Sequence, residues 1–311
     1  MANLHQPVLV NETLKLLNCR PGGIYVDGTI GEGGHAYHLF KNCPEIKLLI
    51  GIDRDEDTLF HAKQKLASFK NRVILVKGNY SQIKTIITNL QIKLIDGVLF
   101  DLGVSTLQLL SPNRGFSFLL EGPLDMRMDR TQKTTAADLI NTSSKSDLER
   151  IFREYGEEKY ASIIAQAIIN QREIKPFETT RELAEVVVNT IPFPKHPRKI
   201  HPATRVFQSL RIAVNDELYH LKKALPEAID LLAPEGRIVV ISFHSLEDRI
   251  VKNVFRELAK PCACPPQIPK CLCGQTPKLR ILTKKPIVPT REEIMANPRC
   301  RSARLRGAEK L

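Results

Sequence analysis

Short apolar runs alternate with helical patterns along the first hundred residues. Four runs are rich in aliphatic and β-branched residues, and they span 23–27, 47–53, 73–77 and 95–101. Between them lie stretches with helical periodicity, at about 34–42, 55–69 and 81–89. Near-continuous apolar strands separated by helices are typical of a parallel sheet that is covered on both faces. The pattern therefore predicts an α/β fold with a doubly wound, mostly parallel sheet.

The strand pattern stops after Asp101 and returns only with the apolar run 236–243. Ser146–Glu149 and Thr179–Glu182 fit the capping box that begins many helices, so residues 106–215 are predicted to form an all-helical insertion. In the helix before the returning strand, Pro226 should cause a kink or a break, because proline lacks an N–H donor. We expect the sheet domain in two parts, 1–105 and 216–311, of which the second ends in a Cys-rich loop and a basic tail.

A glycine-rich turn follows the first predicted strand and leads into a helix. It runs from Asp27 to Ala36, and its glycines let the backbone approach a ligand closely. Asp53 ends the second strand 22 residues after Gly31, where a carboxylate can bind a ribose diol. Together these features predict a site for an adenosine-containing cofactor. Because Gly31, Gly33 and Ala36 also satisfy the dinucleotide fingerprint, an NAD-dependent oxidoreductase remains an alternative.

Two further residues favour S-adenosylmethionine over NAD. Tyr80 follows the third strand, where an aromatic ring can pack on adenine, and Asp101 ends the fourth. S-adenosylmethionine carries a sulfonium and an ammonium where NAD carries a pyrophosphate. A further acid at the strand ends therefore favours the cationic cofactor.

Seven sequence blocks resemble the bacterial 16S ribosomal RNA cytosine-N4 methyltransferase family. In chain order they are His5–Leu9, Tyr25–His35, Asp101–Ser105, Arg114–Phe118, Gly122–Asp129, His201–Arg205 and Ser242–Lys252. The resemblance implies a Rossmann-like class I methyltransferase domain interrupted by a helical substrate-recognition domain. The implied reaction transfers a methyl group from S-adenosylmethionine to N4 of a cytidine in 16S rRNA, cytosine 1402 in nucleotide numbering. A non-catalytic RNA-binding assembly factor with the same fold is a second alternative.

The resemblance also assigns individual residues. The implied cofactor contacts are Gly33, Gly34, His35, Asp53, Tyr80, Asp101 and Gln108. Asp101 is in addition our candidate catalytic residue, because the amino lone pair of cytosine is delocalised into the ring and needs a hydrogen-bond acceptor to draw it out. Related amino-methyltransferases follow this Asp or Asn with prolines, whereas Leu102–Val104 follow here, so a backbone acceptor and a general base are not identified.

The net charge of the chain is positive. Lys and Arg number 46 and Asp and Glu 34, which gives +12 and suits a polyanionic partner. Basic residues gather in two acid-free stretches, 186–215 and 258–291, which together suggest a phosphate-binding surface. The candidate RNA contacts are therefore Arg198, Lys199 and Arg205, with His244 from the loop after the fifth predicted strand. The expected partner is 16S rRNA in the small ribosomal subunit.

Composition narrows the remaining possibilities. With 42% hydrophobic and 26% charged residues, the chain is neither disordered nor a disulfide scaffold. It has no apolar run near the ~18 residues of a membrane span and no signal-peptide pattern, so we expect a cytoplasmic protein that does not enter a membrane.

Four of its seven cysteines, Cys262, Cys264, Cys271 and Cys273, fall within twelve residues. They are candidate ligands of a structural zinc, the alternative being reduced cysteines in a Pro-rich loop. A homodimer is left open.

Overall fold

The computed structural model describes residues 7–192, 201–260 and 276–311. The strands are β1 (Ile24–Asp27), β2 (Leu48–Asp53), β3 (Val73–Lys77), β4 (Ile95–Asp101), β5 (Leu232–Ser242), β6 (Leu279–Ile281) and β7 (Arg304–Lys310). The α-helices are α1 (Val10–Leu17), α2 (Gly34–Asn42), α3 (Glu56–Lys65), α4 (Ile83–Asn89), α5 (Thr106–Leu110), α6 (Ala136–Thr142), α7 (Lys145–Gly156), α8 (Ala161–Ile174), α9 (Thr180–Thr190), α10 (Thr204–Asn215), α11 (Glu217–Leu231), α12 (Ser245–Leu258) and α13 (Arg291–Ala296). Short 3₁₀ helices cover Ala67–Arg72, Tyr80–Gln82, Pro112–Arg114 and Pro298–Ser302.

The chain divides into two units. The first comprises Met1–Gly103 with Leu218–Leu311 and contains the sheet, and the second is Val104–Glu217. Among the described residues, no helix combines the length and the apolar character needed to span a membrane.

The sheet has the strand order β3-β2-β1-β4-β5-β7-β6. β1 pairs in parallel with β2 on one side and with β4 on the other, and β3 and β5 extend these parallel pairings outward. β7 alone runs antiparallel to its neighbours, β5 and β6. The winding therefore reverses between β1 and β4, and ligands of open α/β sheets bind at the carboxyl ends of the strands beside such a point. The predicted doubly wound, mostly parallel sheet of the Rossmann-like class is confirmed.

Apolar clusters cover both faces of this sheet. Successive residues of a strand point to opposite faces, so Val98 and Phe100 belong to the cluster that includes Phe255 of α12. Leu99, between them, belongs to the cluster that includes Phe40 of α2. Because both faces are buried, the strands are apolar at nearly every position, which is the pattern seen in the sequence.

The second unit has an apolar core of its own, in which Leu148 and Phe152 of α7 are fully buried. The helices of the described part of this unit are accompanied by an irregular segment, 115–135, and by an isolated bridge between Pro123 and Thr179, and no strand is found there. The capping box of Thr179 is confirmed, since its side chain accepts the N–H of Glu182 while the Glu182 carboxylate accepts the N–H of Thr179.

The other predicted capping box is wrong. Helix α7 begins at Lys145, and its N-cap is Ser144, whose hydroxyl accepts the N–H of Asp147. Ser146 therefore lies inside the first turn, two residues later than the true cap.

The last third of the chain differs most from the predictions. Helix α11 runs as one helix through Pro226, so a break there is wrong. β5 begins at Leu232 rather than near 236, because its register with β4 is irregular between Ile95 and Gly97 and accommodates extra residues. The basic segment expected as a tail instead forms β7, in which Arg306 is only 7% exposed.

Candidate functional site

Three acids lie at the carboxyl ends of neighbouring strands, next to the point where the winding reverses. Asp27 ends β1, Asp53 ends β2 and Asp101 ends β4. In the sheet register Asp27 is level with Gly51 and Leu99, so both neighbouring strands extend two residues beyond β1. This leaves a recess above β1 in which the glycine-rich turn begins.

Main-chain hydrogen bonds tie the glycine-rich turn to both longer strands. The N–H of Gly28 donates to the carbonyl of Leu99 in β4 (2.9 Å), and the N–H of Ile30 donates to the carbonyl of Ile52 in β2 (3.0 Å). The turn therefore bridges the ends of β2 and β4 across β1.

Two side chains strengthen this bridge. Asp53 Oδ2 accepts the N–H of Gly31 (2.9 Å), and Thr29 Oγ1 accepts the N–H of Asp101 (2.6 Å). Each acid at the end of a flanking strand is thus bonded to the turn. The turn and the two strand ends form one hydrogen-bonded unit in the protein alone.

Helix α2 begins directly after the turn with its N-terminus at the same edge. Gly31 and Gly33 have φ of 51° and 78°, a left-handed conformation that glycine adopts without strain. Gly33 is the N-cap and supplies no capping side chain. The first N–H groups of a helix have no acceptor inside it, and the helix dipole favours negative charge there. The start of α2 can therefore bind an anionic group such as a carboxylate.

His35, in the first turn of α2, faces Asp101. Its Nε2 lies 3.4 Å from Asp101 Oδ2. Neither this nitrogen nor Asp101 Oδ1 has a hydrogen-bond partner among the described residues, although both atoms are buried. Because buried polar atoms are normally paired, these two indicate that a polar ligand completes the site.

Asp27 is a site residue that the sequence analysis did not single out. It is 3% exposed. The pKa of its carboxyl is raised to about 7, mainly by burial and further by the charges of Asp101 and Asp53, against the opposing effects of His35 and the N–H of Thr29. Asp27 therefore titrates near neutral pH. Its place as the last residue of a buried strand before the turn was the signal that could have identified it.

Asp53 keeps capacity for a ligand although its carboxylate is already bonded. Oδ2 accepts the N–H of Gly31 and Oδ1 accepts the N–H of Asp55, both at 2.9 Å. Burial raises the pKa of Asp53, and these N–H groups partly counter that rise. Since each carboxylate oxygen can accept a second hydrogen bond, a diol can still bind here.

An aromatic ring completes this side of the edge. Tyr80 follows β3, and its ring centre lies 5.5 Å from that of Phe100 in β4. The guanidinium carbon of Arg54 lies 6.0 Å from the same ring centre. The contacts hold Tyr80 beside the end of β2, where an aromatic ring can pack on a planar base.

Gln108, Arg205 and His244, which were also predicted as site residues, make hydrogen bonds or ion pairs within their own units. Gln108 and Arg205 belong to the second unit: Gln108 Oε1 accepts the N–H of Ser105 in the capping box of α5, and Arg205 donates to the carbonyl of Glu157. His244, in the first unit, is the N-cap of α12, and its Nε2 lies 3.2 Å from Glu247 Oε1.

Several predicted residues fall outside the described ranges. They are the RNA contacts Arg198 and Lys199 and the zinc ligands Cys262, Cys264, Cys271 and Cys273. Both sets stay predictions from the sequence. Arg211 belongs to the same acid-free stretch as Arg198 and lies in the described part of the chain. Its Nε is 2.8 Å from Glu217 Oε1, so the charge of Arg211 is compensated within the protein.

Comparisons with known sequences identify the family of this chain. A family model described as the MraW methylase family matches residues 2–311. The ribosomal RNA small subunit methyltransferase H of Carboxydothermus hydrogenoformans is 53% identical over 307 residues, covering 99% of this chain and 98% of that protein. The protein of the same name from Syntrophus aciditrophicus is 49% identical with the same coverage. Among solved structures, an rRNA methylase from Streptococcus thermophilus aligns with a TM-score of 0.42 and 11% identity, covering 97% of this chain and 93% of that one.

Proposed function

Since this chain belongs to the MraW methylase family and is a methyltransferase, we propose that it methylates N4 of cytosine 1402 in 16S ribosomal RNA. The methyl donor is S-adenosylmethionine. The observation that carries the proposal is the carboxyl edge of the sheet, where three acids lie beside the glycine-rich turn and where Asp101 Oδ1 and His35 Nε2 are buried without a partner among the described residues.

The residues of this edge fit S-adenosylmethionine better than NAD. Asp53 and Asp101 place negative charge beside the turn, and Asp27 adds to it in its ionised form, which favours a cationic ligand and opposes a pyrophosphate. The N-terminus of α2 suits the carboxylate of the methionine part. An NAD-dependent oxidoreductase is therefore not favoured. A non-catalytic assembly factor is not favoured either, because the chain belongs to a family of methylases.

We assign the cofactor contacts residue by residue. The backbone at Gly33 and Gly34 and the side chain of His35 hold the methionine part, Asp53 binds the ribose hydroxyls, and Tyr80 packs on the adenine. Asp101 and Gln108 complete the set that the family resemblance implies.

Asp53→Ala is expected to weaken S-adenosylmethionine binding by about 10- to 150-fold. The estimate corresponds to a charge-assisted hydrogen bond of about 1.5–3 kcal/mol. Calorimetry with the purified variant measures the loss.

A deoxyribose analogue of the cofactor separates direct binding from the tie between Asp53 and Gly31. In the wild-type protein the missing hydroxyl should itself weaken binding, whereas Asp53→Ala should bind cofactor and analogue equally. A variant that still discriminates between them would show that Asp53 acts only by holding the turn.

Asp101 is assigned a role in the reaction as well as in binding. The bound cofactor supplies an electrophilic methyl group on a sulfonium. Asp101 Oδ1 can accept a hydrogen bond from the cytosine amino group and so draw its lone pair out of the ring. His35 Nε2 lies 3.4 Å from the other carboxylate oxygen, so the two side chains face each other at the site.

We propose that the substrate is the small ribosomal subunit in the cytoplasm, or a large part of that subunit. A cytosine in structured RNA must be unstacked into the pocket at a cost of a few kcal/mol, and contacts elsewhere must offset this cost. The helical segment 106–215 is assigned to substrate recognition, with Arg198, Lys199, Arg205 and His244 as RNA contacts. The two arginines and the lysine offer positive charge without a base-reading motif, so recognition should depend on RNA shape and phosphates.

Charge reversal at Arg198 and Lys199 is expected to reduce methylation of purified small subunits by at least about tenfold at 150 mM salt, since two phosphate contacts would be replaced by repulsion. Cofactor affinity should not change. Efficient methylation of a short unstructured oligonucleotide by the wild-type protein at high salt would contradict recognition outside the pocket.

The function itself is tested by mass spectrometry of 16S rRNA. Small subunits lacking the modification are incubated with the protein and S-adenosylmethionine, and the RNA is digested and mapped. A single methyl group on N4 of cytosine 1402 supports the proposal, and methylation of another atom or nucleotide contradicts it.

A further inference from the structure

Three exposed arginines lie together near the carboxyl edge of the sheet, and the proposed function gives them no role. Arg299 and Arg301 are in the 3₁₀ helix Pro298–Ser302, and Arg304 is the first residue of β7. We call these three residues the edge arginines.

The sheet register places Arg304 near Asp101, and Arg299 and Arg301 precede it in the adjoining 3₁₀ helix. Asp101 in β4 is level with Ile241 in β5, and the next residue of β5, Ser242, is level with Arg304 in β7. Neighbouring strands lie about 4.8 Å apart, so the backbone of Arg304 is roughly 10 Å from that of Asp101 across two strand spacings. An arginine side chain at this edge can reach a group that flanks a base bound at Asp101.

Buried residues between the edge arginines fix their backbone. Cys300 and Leu305 are fully buried, and Ala303 is 1% exposed. A buried residue therefore separates Arg299 from Arg301, and buried residues flank Arg304 on both sides, which anchors the segment in the core. Charged groups on such a fixed backbone lose less conformational entropy on binding than groups on a mobile tail.

The charge of the edge arginines is largely uncompensated. Arg304 Nη1 lies 3.2 Å from Asp248 Oδ2, but the same carboxylate is already bonded to Arg306, at 2.6 Å through Nε and 3.2 Å through Nη2. One carboxylate is thus shared by two guanidinium groups. Among the described residues, Arg299 and Arg301 make no ion pair. The same edge of the sheet therefore carries acids on β1, β2 and β4 and positive charge at β7.

We propose that the edge arginines bind phosphate groups of the RNA strand that flank the target cytosine. The inference rests on the proposed function, because it takes RNA as the substrate. A guanidinium group matches a phosphate with paired hydrogen bonds, and the division of charge along the edge keeps the RNA backbone away from the acids that hold the cofactor.

The test replaces the three edge arginines together by glutamine. Arg304→Gln leaves Asp248 bonded to Arg306, so the fold should be retained, and thermal unfolding and cofactor affinity check this. With small subunits as substrate, KM at 150 mM salt should rise about tenfold or more, and the slope of log KM against log salt should fall by about 2, which corresponds to three lost phosphate contacts. Replacing the same residues by lysine should restore most of the salt dependence, because the charge returns.

A charge-matched control lies at the opposite edge of the sheet. Arg20, Lys278 and Arg280 are cations paired with Glu235, Asp230 and Glu309; Lys278 and Arg280 are exposed and Arg20 is partly exposed. Their triple replacement by glutamine removes the same net charge and should leave KM and the salt slope close to the wild-type values. If both triple variants behave alike while the wild type methylates the subunit, the edge arginines do not bind RNA and the proposed function stands. If the wild type does not methylate the subunit, the proposed function fails and this inference with it.

Discussion

Asp101→Asn is expected to slow methyl transfer by about 10²- to 10⁴-fold, the range for a positioned group that accepts a proton or hydrogen bond in the transition state. The substitution keeps the shape of the side chain and the N–H bond to Thr29, which involves only the backbone of Asp101. Cofactor affinity should therefore change much less than the rate. Single-turnover methylation of small subunits, with calorimetry for the cofactor, measures both quantities.

The matched control for this experiment is Asp96→Asn. Asp96 lies in the same strand, β4, near its amino end, and its Oδ2 accepts the N–H of Ile24. Asp96→Asn should leave the rate of methyl transfer unchanged, provided that the variant folds. Equal losses of rate and cofactor affinity in Asp101→Asn would reduce Asp101 to a binding residue.

Asp248→Ala is expected to lower the free energy of unfolding by about 3–5 kcal/mol. Asp248 and Arg306 are both buried and are joined by two hydrogen bonds, so removing the acid leaves a buried guanidinium without its partner. Denaturant unfolding measures the loss. Replacing both residues by leucine should recover much of the stability, because no unpaired charge is then buried.

The stabilising effect of Asp248 should also depend on pH. Burial alone would raise the pKa of Asp248, but the hydrogen bonds and charges of Arg306 and Arg304 outweigh it, and the pKa is lowered. The stabilisation is therefore present above the unfolded-state pKa of about 3.9 and is lost as the pH falls through the lower folded value. Asp230→Ala, which breaks an exposed pair with Lys278, should cost less than about 1 kcal/mol. An equal cost for the two variants would contradict the role given to burial.

The sequence predicts the first four strands closely because their signal is local. Each is a short apolar run that ends in a polar residue, and the observed ends at Asp27, Asp53 and Asp101 coincide with the predicted ones. A parallel sheet buried on both faces leaves little alternative for such runs.

The C-terminal strands could not be predicted in this way, because distant partners determine them. Arg306 and Glu309 appear unsuited to a buried strand until Asp248 in α12 and Arg237 in β5 are seen to neutralise them. The early start of β5 likewise depends on an irregular register with β4.

The site residues, too, could be predicted where the signal is local and not where it depends on contacts between distant residues. The acids at strand ends are visible in the sequence, whereas the tie between Thr29 and Asp101 is a contact between residues 72 positions apart. The role of His244 as a helix cap follows from the first turn of α12, where the N–H of Glu247 needs an acceptor.

The pairing of β4 with β5 has a consequence for synthesis of the protein. The 130 residues between Asp101 and Leu232 must leave the ribosome before β4 can gain this neighbour. At about 5–20 residues per second, the nascent chain waits roughly 7 to 26 s with that side of β4 unpaired, and an open strand edge can pair with other chains. The intervening unit has its own apolar core, so it can fold during this interval. The sheet beside Asp101 is therefore completed only after β5 has been translated through Ser242, long after the residues of β1, β2 and β4.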